Sequence, residues 1–568
     1  MTSSSPLVEV RDLTIDFGDV RAVDGLSFGL EAGGALGVVG ESGSGKSASA
    51  YALLGLHRGT GARVGGSIRV AGTDVGAADD AALRALRGAK AAMVFQDPLS
   101  SLDPYYTVGD QIAEVYRVHN SVSGRAARAR AVEVLDRVGI PDAARRARSR
   151  PHEFSGGMRQ RALIAMALAC EPRLLIADEP TTALDVTVQA QILDLLHGLR
   201  HETGMGLLLV THDVGVAAES VEEVLVMRAG REVERGPVAE VLGAPREPYT
   251  RELLAAVPRI DVRRAVSAAV PVPGSAATVP VAVPVPRDGA ADAVADAPPL
   301  LEAVDLRREF GRGRARVTAV DGVSLTVHAG RTLGIVGESG SGKTTLGRML
   351  VRLLDPTAGR LRYGGTEIGS LPEKGLRPLR RELQMVFQDP VASLNPRRSI
   401  GESVADPLRA AGERDEARIR DRVGELLERV GLDPGRYERY PHEFSGGQRQ
   451  RVGIARALAA EPRLIVCDEP VSALDVTTQA QVIALLAELQ RELGIGMVFI
   501  AHDLAVVRQV SDEVAVMRRG AVVEQGSVDE VYGSPRHPYT KQLLAAVPAL
   551  DPGLAAVRRA ARRELAAA

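Results

Sequence analysis

Two glycine-rich loops in this chain have the residue spacing that encloses a nucleotide phosphate. They read Gly-Glu-Ser-Gly-Ser-Gly-Lys-Ser at 40–47 and Gly-Glu-Ser-Gly-Ser-Gly-Lys-Thr at 337–344. Glycines allow backbone N–H groups to close around phosphate oxygens, and the N-terminus of a following helix adds partial positive charge. The pattern predicts phosphate contacts from all sixteen residues, namely Gly40, Glu41, Ser42, Gly43, Ser44, Gly45, Lys46, Ser47, Gly337, Glu338, Ser339, Gly340, Ser341, Gly342, Lys343 and Thr344.

Within these loops, three kinds of side chain have separate predicted tasks. The lysines, Lys46 and Lys343, are expected to reach the β and γ phosphates. The residues that follow them, Ser47 and Thr344, each offer a hydroxyl ligand to Mg²⁺. Because each loop lies between a buried apolar run and a helical pattern, a glycine turn of unrelated function is disfavoured at both places.

An Asp-Glu pair follows a short apolar run in each half of the chain. Asp178 and Asp468 have the chemistry of Mg²⁺ ligands, acting directly or through water. The adjacent Glu179 and Glu469 can orient and deprotonate an attacking water, a general-base task that typically contributes about 10² to 10⁴ in rate. An isolated pair of this kind would indicate a solvated turn, but the upstream phosphate loops favour catalysis.

A glutamine and a histidine also recur in the same order. Gln96 and Gln388 lie in Met-Val-Phe-Gln-Asp-Pro, and His212 and His502 follow apolar runs. Taken singly, such residues are usually structural. Their repetition makes all four candidates for sensing the γ phosphate and the attacking water, with the glutamines as further candidate metal ligands.

The repetition extends to whole domains. The elements Phe-Ser-Gly-Gly-Met-Arg-Gln-Arg at 154–161 and Phe-Ser-Gly-Gly-Gln-Arg-Gln-Arg at 444–451 are separated by 290 residues, and so are the glutamates and the histidines. This period is too long for a solenoid. The chain is therefore interpreted as a tandem duplication of one domain.

Composition sets the broad class of protein. The chain has 568 residues, 45% of them hydrophobic and 25% charged, with a net charge of −2. Such a chain can bury two cores and carries no global field that favours nucleic acid. No run of 18 or more apolar residues predicts a membrane-spanning helix, and two cysteines exclude a disulfide framework.

The order of apolar runs predicts an α/β fold. Short runs without alternation, such as 174–177 and 207–210, fit strands buried on both faces of a parallel sheet. We expect two P-loop cassettes, each with a mostly parallel core sheet, a small antiparallel β subdomain and an inserted helical subdomain. The helical stretches are placed at about 82–169 and 379–460.

The predicted boundaries follow composition. They are a first cassette at 1–260, a linker at 261–299, a second cassette at 300–550 and a tail at 551–568. Repeated Val-Pro pairs between 279 and 286 remove backbone donors and favour extended linker geometry rather than a strand. The tail is predicted to be a solvated, frayed end, with a basic helix at a membrane surface as the alternative.

These motifs resemble the ATP-binding-cassette family over nearly the whole chain. The resemblance implies that ATP and Mg²⁺ are the cofactors and that each Ser-Gly-Gly element contacts the γ phosphate held by the opposite cassette. It also implies that Asp185 and Asp475, in Ala-Leu-Asp, belong to the loop that links the two sites. Phe17 and Phe310 either stack on adenine or are ordinary core residues. The implied trans contacts are Ser155, Gly156, Gly157 and Met158, and Ser445, Gly446, Gly447 and Gln448.

Within that family the chain resembles the ATPases of oligopeptide, dipeptide and nickel importers. The resemblance is carried by Tyr440-Pro-His-Glu-Phe-Ser-Gly-Gly-Gln448, by Pro535-Arg-His-Pro-Tyr-Thr540 and by Arg246-Glu-Pro-Tyr-Thr250. It implies two integral-membrane permease subunits, an extracytoplasmic solute-binding protein and a peripheral location on the cytoplasmic face. Because the late cysteines that hold an iron–sulfur cluster in many members are missing, no cluster is predicted.

Two further expectations complete this interpretation. Both cassettes keep the glutamate and the histidine, so both sites are expected to hydrolyse ATP. By analogy with related transporters, residues 97–110 and 389–401 either meet a permease helix or form plain surface loops. The alternative function is a soluble tandem cassette that acts on ribosomes or DNA, which the apolar, proline-broken linker and the neutral charge disfavour.

Overall fold

The structure is a computed structural model that describes residues 6–182, 184–261, 267–271, 278–282, 298–311, 316–472 and 474–567. It divides into two compact units. One comprises Met1–Val257 together with Pro548–Ala568, and the other comprises Pro258–Val547. Each unit contains the α/β cassette that the sequence predicts.

The first unit contains two sheets. A four-stranded antiparallel sheet has the order β2-β1-β4-β5, and a six-stranded sheet has the order β10-β9-β3-β8-β7-β6. In the larger sheet only β10 runs antiparallel to its neighbour. The strands are β1 (Val8–Phe17), β2 (Val20–Leu30), β3 (Ala35–Gly40), β4 (Arg63–Val70), β5 (Thr73–Asp74), β6 (Ala91–Val94), β7 (Leu174–Asp178), β8 (Gly206–Thr211), β9 (Glu223–Arg228) and β10 (Arg231–Pro237).

Helices cover the larger sheet of the first unit and form the inserted subdomain between β6 and β7. A 3-10 turn, Pro151–Glu153, precedes the Ser-Gly-Gly helix. The helices are Lys46–Ala52, Asp80–Leu86, Pro98–Ser101, Val108–His119, Gly124–Arg137, Ala143–Arg146, Gly156–Leu168, Val186–Thr203, Val214–Ser220, Val238–Gly243 and Pro248–Ala256.

The second unit repeats this arrangement, with sheets ordered β14-β13-β16-β17 and β18-β19-β20-β15-β21-β22. Its strands are β13 (Leu301–Phe310), β14 (Val317–Val327), β15 (Thr332–Val336), β16 (Ala358–Tyr363), β17 (Thr366–Glu367), β18 (Leu383–Val386), β19 (Leu464–Asp468), β20 (Gly496–Ile500), β21 (Glu513–Arg518) and β22 (Ala521–Ser527). Its helices, including two 3-10 turns, are Lys343–Leu350, Glu373–Leu376, Pro390–Ser393, Ile400–Ala410, Glu416–Arg429, Pro434–Arg436, Pro441–Glu443, Gly446–Leu458, Val476–Leu493, Leu504–Val510, Val528–Gly533 and Pro538–Ala546. Within the described ranges, no helix combines the length and apolarity that crossing a bilayer requires.

The parallel register brings the chemical residues to one edge of each large sheet. In the first unit β3 pairs with β8, so that Val39 lies opposite Thr211, and β7 places Asp178 opposite Val210. Alternate residues of β3 enter two different cores, with Val38 on one face and Val39 on the other. A strand buried on both faces has little freedom to shift, so the loops at its end are held in register.

The predicted helical stretches each contain a strand. Ala91–Val94 and Leu383–Val386 are parallel edge strands that pair with β7 and β19. Assigning these residues to helix was wrong. Four residues are too few to display a strand pattern, and their extended form is stabilised by pairing with strands some 80 residues away in sequence.

The prediction of no strand in the linker was also wrong. Ser267–Pro271 and Thr278–Ala282 form an antiparallel pair, β11 and β12, in which Pro280 lies opposite Ala269. Proline is tolerated in such a ribbon because each strand has an outer edge where a missing N–H costs no ladder bond. The other residues between 262 and 297 lie outside the described ranges.

The predicted frayed tail is instead a packed helix of the first unit, Pro552–Ala567. Arg562 reaches the carboxylates of Asp194, at 3.0 Å, and of Glu219, at 3.5 Å. The Ala549 N–H donates to the same Glu219 at 3.2 Å, and Leu550 packs on the core of this unit. The error arose because the partners of these residues lie more than 300 positions earlier in the sequence.

Removing the arginine is therefore expected to loosen the tail helix. In Arg562→Ala, the buried Glu219 carboxylate loses a cationic partner, and breaking a buried pair in this way is strongly destabilising. We predict that backbone amides of 552–567 exchange with deuterium at least about tenfold faster, as followed by mass spectrometry. Val557→Ala, at a position that is 65% exposed on the same helix, is the matched control. Equal exchange rates in the two variants would contradict the docking role of Arg562.

Candidate functional site

Each phosphate-binding loop is closed by its own lysine. The Lys46 ammonium donates to the carbonyl oxygens of Gly40 at 2.9 Å and Glu41 at 2.8 Å. Lys343 makes the same bonds to Gly337 at 2.6 Å and Glu338 at 2.8 Å. Both lysines are about 95% buried. The loops therefore hold a desolvated positive charge where the sequence predicts phosphate binding.

The glycines of the loops have a steric requirement besides flexibility. A Cβ on Gly40 would lie 2.3 Å from the Met227 carbonyl oxygen, and one on Gly45 would lie 2.4 Å from that of Ala22. Gly45 also has φ of 94°. Since any side chain would collide with backbone at both points, the loop can pass between β2 and β9 only with glycine at these positions.

The predicted metal-binding pairs are in contact in both units. The Ser47 hydroxyl donates to Asp178 Oδ1 at 2.9 Å, and Thr344 donates to Asp468 at the same distance. Burial raises the pKa of both aspartates, against the opposing effect of these hydroxyl bonds. Asp178 Oδ2 is buried and lacks a hydrogen-bond partner among the described residues. A carboxylate with a free buried oxygen beside a hydroxyl fits Mg²⁺, which takes its remaining ligands from phosphates and water.

Glu179 is held by three side chains of the first unit. Gln96 Nε2 donates to it at 2.7 Å, the Thr182 hydroxyl donates at 2.9 Å, and His212 Nδ1 lies 3.0 Å away. Burial alone would raise the pKa of Glu179, but the bond and charge of His212, together with the Thr182 bond and the Lys46 charge, hold this pKa below its usual value. The carboxylate is therefore ionised at neutral pH.

The second unit assembles the same cluster with one difference. Gln388 Nε2 donates to Glu469 at 2.8 Å, and His502 Nδ1 lies 3.4 Å away. Here the Ser472 hydroxyl donates to the Glu469 carbonyl oxygen rather than to its carboxylate. Burial would raise the pKa of Glu469, but His502, Lys343 and Gln388 together lower it.

Both glutamates have a strained backbone. Their φ values are 47° for Glu179 and 45° for Glu469, in the left-handed region that non-glycine residues rarely adopt. A bond from the Glu179 N–H to the Val210 carbonyl, 2.8 Å, and the equivalent bond from Glu469 to Ile500, 2.9 Å, hold this conformation. Strain of this kind is concentrated at functional sites, where the surroundings fix the side-chain direction.

The two candidate adenine-stacking residues lie at hairpin ends and not in a core. Phe17 and Phe310 are 41% and 40% exposed. Each closes the β-hairpin whose second strand contacts the phosphate-binding loop, through Ala22 in the first unit and Ala319 in the second. Their exposure argues against the alternative of ordinary core phenylalanines.

The Ser-Gly-Gly elements form exposed helix starts. Ser155 and Ser445 are N-caps whose hydroxyls accept from the N–H of Met158 and Gln448, both at 3.3 Å. Gln448 also returns a bond, accepting from the Ser445 N–H at 3.0 Å. Met158 has no side-chain acceptor to offer, so the first capping arrangement is only half formed.

The other residues of these elements have packing or boundary positions. Gly157 and Gly447 pack so closely on the next long helix that a Cβ would lie 2.5 Å from Val188 and 2.2 Å from Thr478. Asp185 and Asp475 are the N-caps of the helices Val186–Thr203 and Val476–Leu493. Gly156 and Gly446 are exposed at the first helical position.

Sequence reasoning missed two supporting residues. Thr182 contacts Glu179, three positions away. Tyr51 lies near Asp178, and burial together with that carboxylate raises the pKa of Tyr51 to about 12. The sequence spacing could have identified Tyr51, because Tyr51 follows Ser47 by four residues and therefore lies on the same helix face. Arg348 has the same offset from Thr344 and lies near Asp468, so the two aspartates have different neighbours.

The histidine pairs predict a measurable titration. Burial would lower the pKa of His212, but the bond and charge of Glu179, with the charge of Asp213, raise this pKa above its usual value. Both partners are charged between the lowered pKa of Glu179 and the raised pKa of His212, so the pair weakens as pH rises through the latter. In Glu179→Gln, burial and the Lys46 charge act against the remaining Asp213 carboxylate, and we expect the His212 pKa to fall in histidine NMR spectra of the full chain. His502 is the internal control and should not move; an unchanged His212 pKa would contradict the pairing.

Comparison with known proteins gives the family. The model of the ABC transporter family matches residues 23–182 and 320–472. A model of the oligopeptide/dipeptide transporter C-terminal region matches 233–279 and 523–567.

The chain is similar to named proteins over most of its length. It is 47% identical to the oligopeptide transport ATP-binding protein OppD of Mycobacterium bovis, over 96% of this chain and 99% of that protein. It is 46% identical to the glutathione import ATP-binding protein GsiA of Salmonella paratyphi A, over 98% and 92%. A solved ATP-binding cassette, MJ0796 bound to ADP and Pi, is 29% identical over 40% of this chain and 98% of that one, with a TM-score of 0.38. From the two family matches and the full-length relatives, we conclude that the chain belongs to the ABC transporter family, as an ATPase with two cassettes.

Proposed function

We propose that this chain hydrolyses ATP at two sites and thereby powers the import of peptides or related small solutes through separate membrane permeases. The observation that carries this proposal is the cluster around each glutamate. In both units, an ionised carboxylate is held by a glutamine and a histidine beside a hydroxyl–aspartate pair. Similarity to OppD and GsiA supports import over action on ribosomes or DNA.

In this proposal, Glu179 and Glu469 accept the proton of the attacking water. Their lowered pKa keeps them ionised, and the strained backbone fixes their direction toward the edge where the phosphate-binding loop lies. His212 and His502 hold the carboxylate and favour its charged form. Gln96 and Gln388 orient it and report whether a γ phosphate is present.

Magnesium would be held by Ser47 and Asp178 in one site and by Thr344 and Asp468 in the other. When bound, it neutralises charge on the phosphate oxygens. Burial raises the pKa of both aspartates, and a bound cation would oppose this shift by favouring their ionised form. Gln96 and Gln388 remain further candidate ligands.

We propose that the Ser-Gly-Gly elements complete the sites in trans. Ser155 and Ser445 begin helices of 13 residues, and such N-termini bind anions through free N–H groups and the helix dipole. Each would bind the γ phosphate of ATP that is held by the other loop. Asp185 and Asp475 would link the sites, and Phe17 and Phe310 would stack on adenine.

The proposed partners are two integral-membrane permease subunits and an extracytoplasmic solute-binding protein, with the chain on the cytoplasmic face of the membrane. OppD and GsiA are named as ATP-binding proteins for oligopeptide transport and glutathione import. The matched oligopeptide/dipeptide C-terminal region supports the peptide-type class. The ATPase does not contact cargo, so its sequence leaves the solute open.

The segments 97–110 and 389–401 are the proposed permease contacts. In the first, Tyr105 and Tyr106 are 82% and 62% exposed. The second borders a cavity of about 650 Å³ that is lined by Gln388, Asp389 and Arg456. A permease element in this cavity would touch Gln388, which donates to Glu469. Movement of the permease would in this way affect the proposed general base directly.

Single glutamate variants test the two-site mechanism. We predict that Glu179→Gln and Glu469→Gln each lower ATP turnover to about half or less, since one general base is lost and the other remains. The double variant should lose about 10² or more, the ordinary contribution of a general base. Phosphate release by the full chain is the measurement. Unchanged turnover in either single variant would show that only one site works.

The exposed tyrosines test the permease contact. We predict that Tyr105→Ala combined with Tyr106→Ala reduces co-sedimentation with vesicles that contain the cognate permeases by about tenfold. Two exposed aromatic side chains at an interface supply such an energy. Val118→Ala, at a residue that is 70% exposed in the same helical layer, is the control. If the double variant binds as well as the control, residues 97–110 are a surface loop.

A further inference from the structure

The Pro-Tyr-Thr segments, residues 248–250 and 538–540, have no part in the mechanism above. They lie in the C-terminal region that the second family model matches, and each begins a helix, Pro248–Ala256 or Pro538–Ala546. Tyr539 is 2% exposed and is among the largest fully buried side chains of the described structure. Buried hydroxyl groups are normally hydrogen-bonded. The partner of the Tyr539 hydroxyl therefore indicates which part of the molecule this segment supports.

That partner is the second phosphate-binding loop. The Glu338 N–H donates to the Tyr539 hydroxyl oxygen at 3.1 Å, across 201 residues of sequence. This N–H belongs to the peptide that joins Gly337 to Glu338. The carbonyl of the same peptide, Gly337 O, accepts from the Lys343 ammonium at 2.6 Å. One peptide plane therefore connects the tyrosine to the phosphate-binding lysine.

Tyr539 is itself held rigidly. The Arg518 guanidinium lies 4.7 Å from its ring centroid, a cation–π contact. The His537 side chain caps the helix by accepting from the Tyr539 N–H at 3.1 Å. Glu524, on β22, accepts from the N–H groups of Arg536 at 2.7 Å and His537 at 3.1 Å. The hydroxyl therefore has a fixed position relative to the core sheet.

The first unit repeats this support. Tyr249 is 6% exposed, and the Arg228 guanidinium lies 4.5 Å from its ring centroid. Glu234 accepts from the N–H groups of Arg246 at 2.8 Å and Glu247 at 3.2 Å. The supporting arginine and glutamate are each displaced by 290 positions from their counterparts, so these two contacts are a regular part of this cassette. The side-chain helix cap of His537 is not repeated by Glu247, and the bond from a loop N–H to the hydroxyl is seen at Tyr539.

We propose that Tyr539 is a positioning residue for ATP binding, which acts through the Gly337–Glu338 peptide to place Lys343 against the phosphates. This inference rests on the ATP sites proposed above. The C-terminal region would then support the nucleotide site, in addition to any surface that this region presents to partner proteins.

The hydroxyl group is the part of Tyr539 that matters. Burial raises the pKa of Tyr539 to about 12, and the hydroxyl stays protonated at neutral pH, able to accept from Glu338 N–H and to donate. Phenylalanine would keep the ring and its contact with Arg518 but would leave the Glu338 N–H without this acceptor. The peptide would then turn to find another partner, and the Gly337 carbonyl would turn with it.

The test measures ATP binding at the second loop alone. In the full chain, Lys46→Ala removes binding by the first loop, and the dissociation constant for the slowly hydrolysed analogue ATPγS with Mg²⁺ is measured by equilibrium binding. Adding Tyr539→Phe should raise this constant about fivefold, the worth of one ordinary hydrogen bond of about 1 kcal/mol.

Tyr532→Phe is the matched control. Tyr532 is another buried tyrosine of the same unit, but its hydroxyl donates to the Leu504 carbonyl at 2.7 Å and not to a loop peptide. Tyr532→Phe should lower the melting temperature and leave ATPγS affinity unchanged. Equal affinity in the two variants, whether unchanged or equally weakened, would overturn the proposal.

Two further backgrounds separate local from general effects. The first background carries Lys343→Ala in place of Lys46→Ala, so that only the first loop binds. In this background Tyr539→Phe should leave the ATPγS dissociation constant unaltered. A fivefold increase in that constant would also overturn the positioning role. If Lys46→Ala and Lys343→Ala together still bind ATPγS like the unmodified chain, the proposed ATP sites are wrong and this inference falls with them. That outcome is distinct from an unchanged constant in Tyr539→Phe alone.

Discussion

Each phosphate-binding loop passes between two strands at a separation that leaves no room for a side chain. In the second unit, a Cβ on Gly337 would lie 2.3 Å from the Met517 carbonyl, and one on Gly342 would lie 2.2 Å from that of Ala319. These contacts fix the loop between the end of the parallel sheet and the antiparallel hairpin. Because the loop is fixed, its lysine donates to two loop carbonyls and its hydroxyl residue donates to the nearby aspartate, all at distances below 3 Å. The rest of the site depends on this arrangement.

Neighbouring carboxylates in each site are shifted in opposite directions. Burial raises the pKa of Asp178, whereas the pKa of Glu179 is lowered against burial by His212, Thr182 and Lys46. Groups whose surroundings separate their pKa values have separate chemical tasks. In the proposed mechanism the aspartate holds a cation, and the glutamate, which stays ionised at neutral pH, accepts the proton of the attacking water. Both proposed tasks would then fall to two consecutive residues at one sheet edge.

The sequence was sufficient for the parts of this site that repeat at fixed spacing. The structure brings the predicted glutamines and histidines to the glutamates, and their roles stay predictions. Tyr539 was not identified as a loop contact, because its relation to Glu338 depends on how a C-terminal helix packs. The tail helix was mistaken for a frayed end for the same reason, since Glu219 and Asp194 are distant in sequence. Contacts between residues so far apart in sequence depend on tertiary packing and leave no local sequence pattern.

The two units have the same lysine, glutamate and histidine in the proposed site but differ in residues that contact these groups or the aspartate. Glutamate, histidine and lysine are the same in both, whereas Thr182 and Ser472 direct their hydroxyls to different oxygens of the glutamate. Tyr51 and Arg348 likewise give the two aspartates different neighbours. A duplicated chain can change these positions in one copy without losing the reaction in the other. Divergence limited to such neighbours would therefore adjust the rate or affinity of each site separately, while both sites keep the same chemistry.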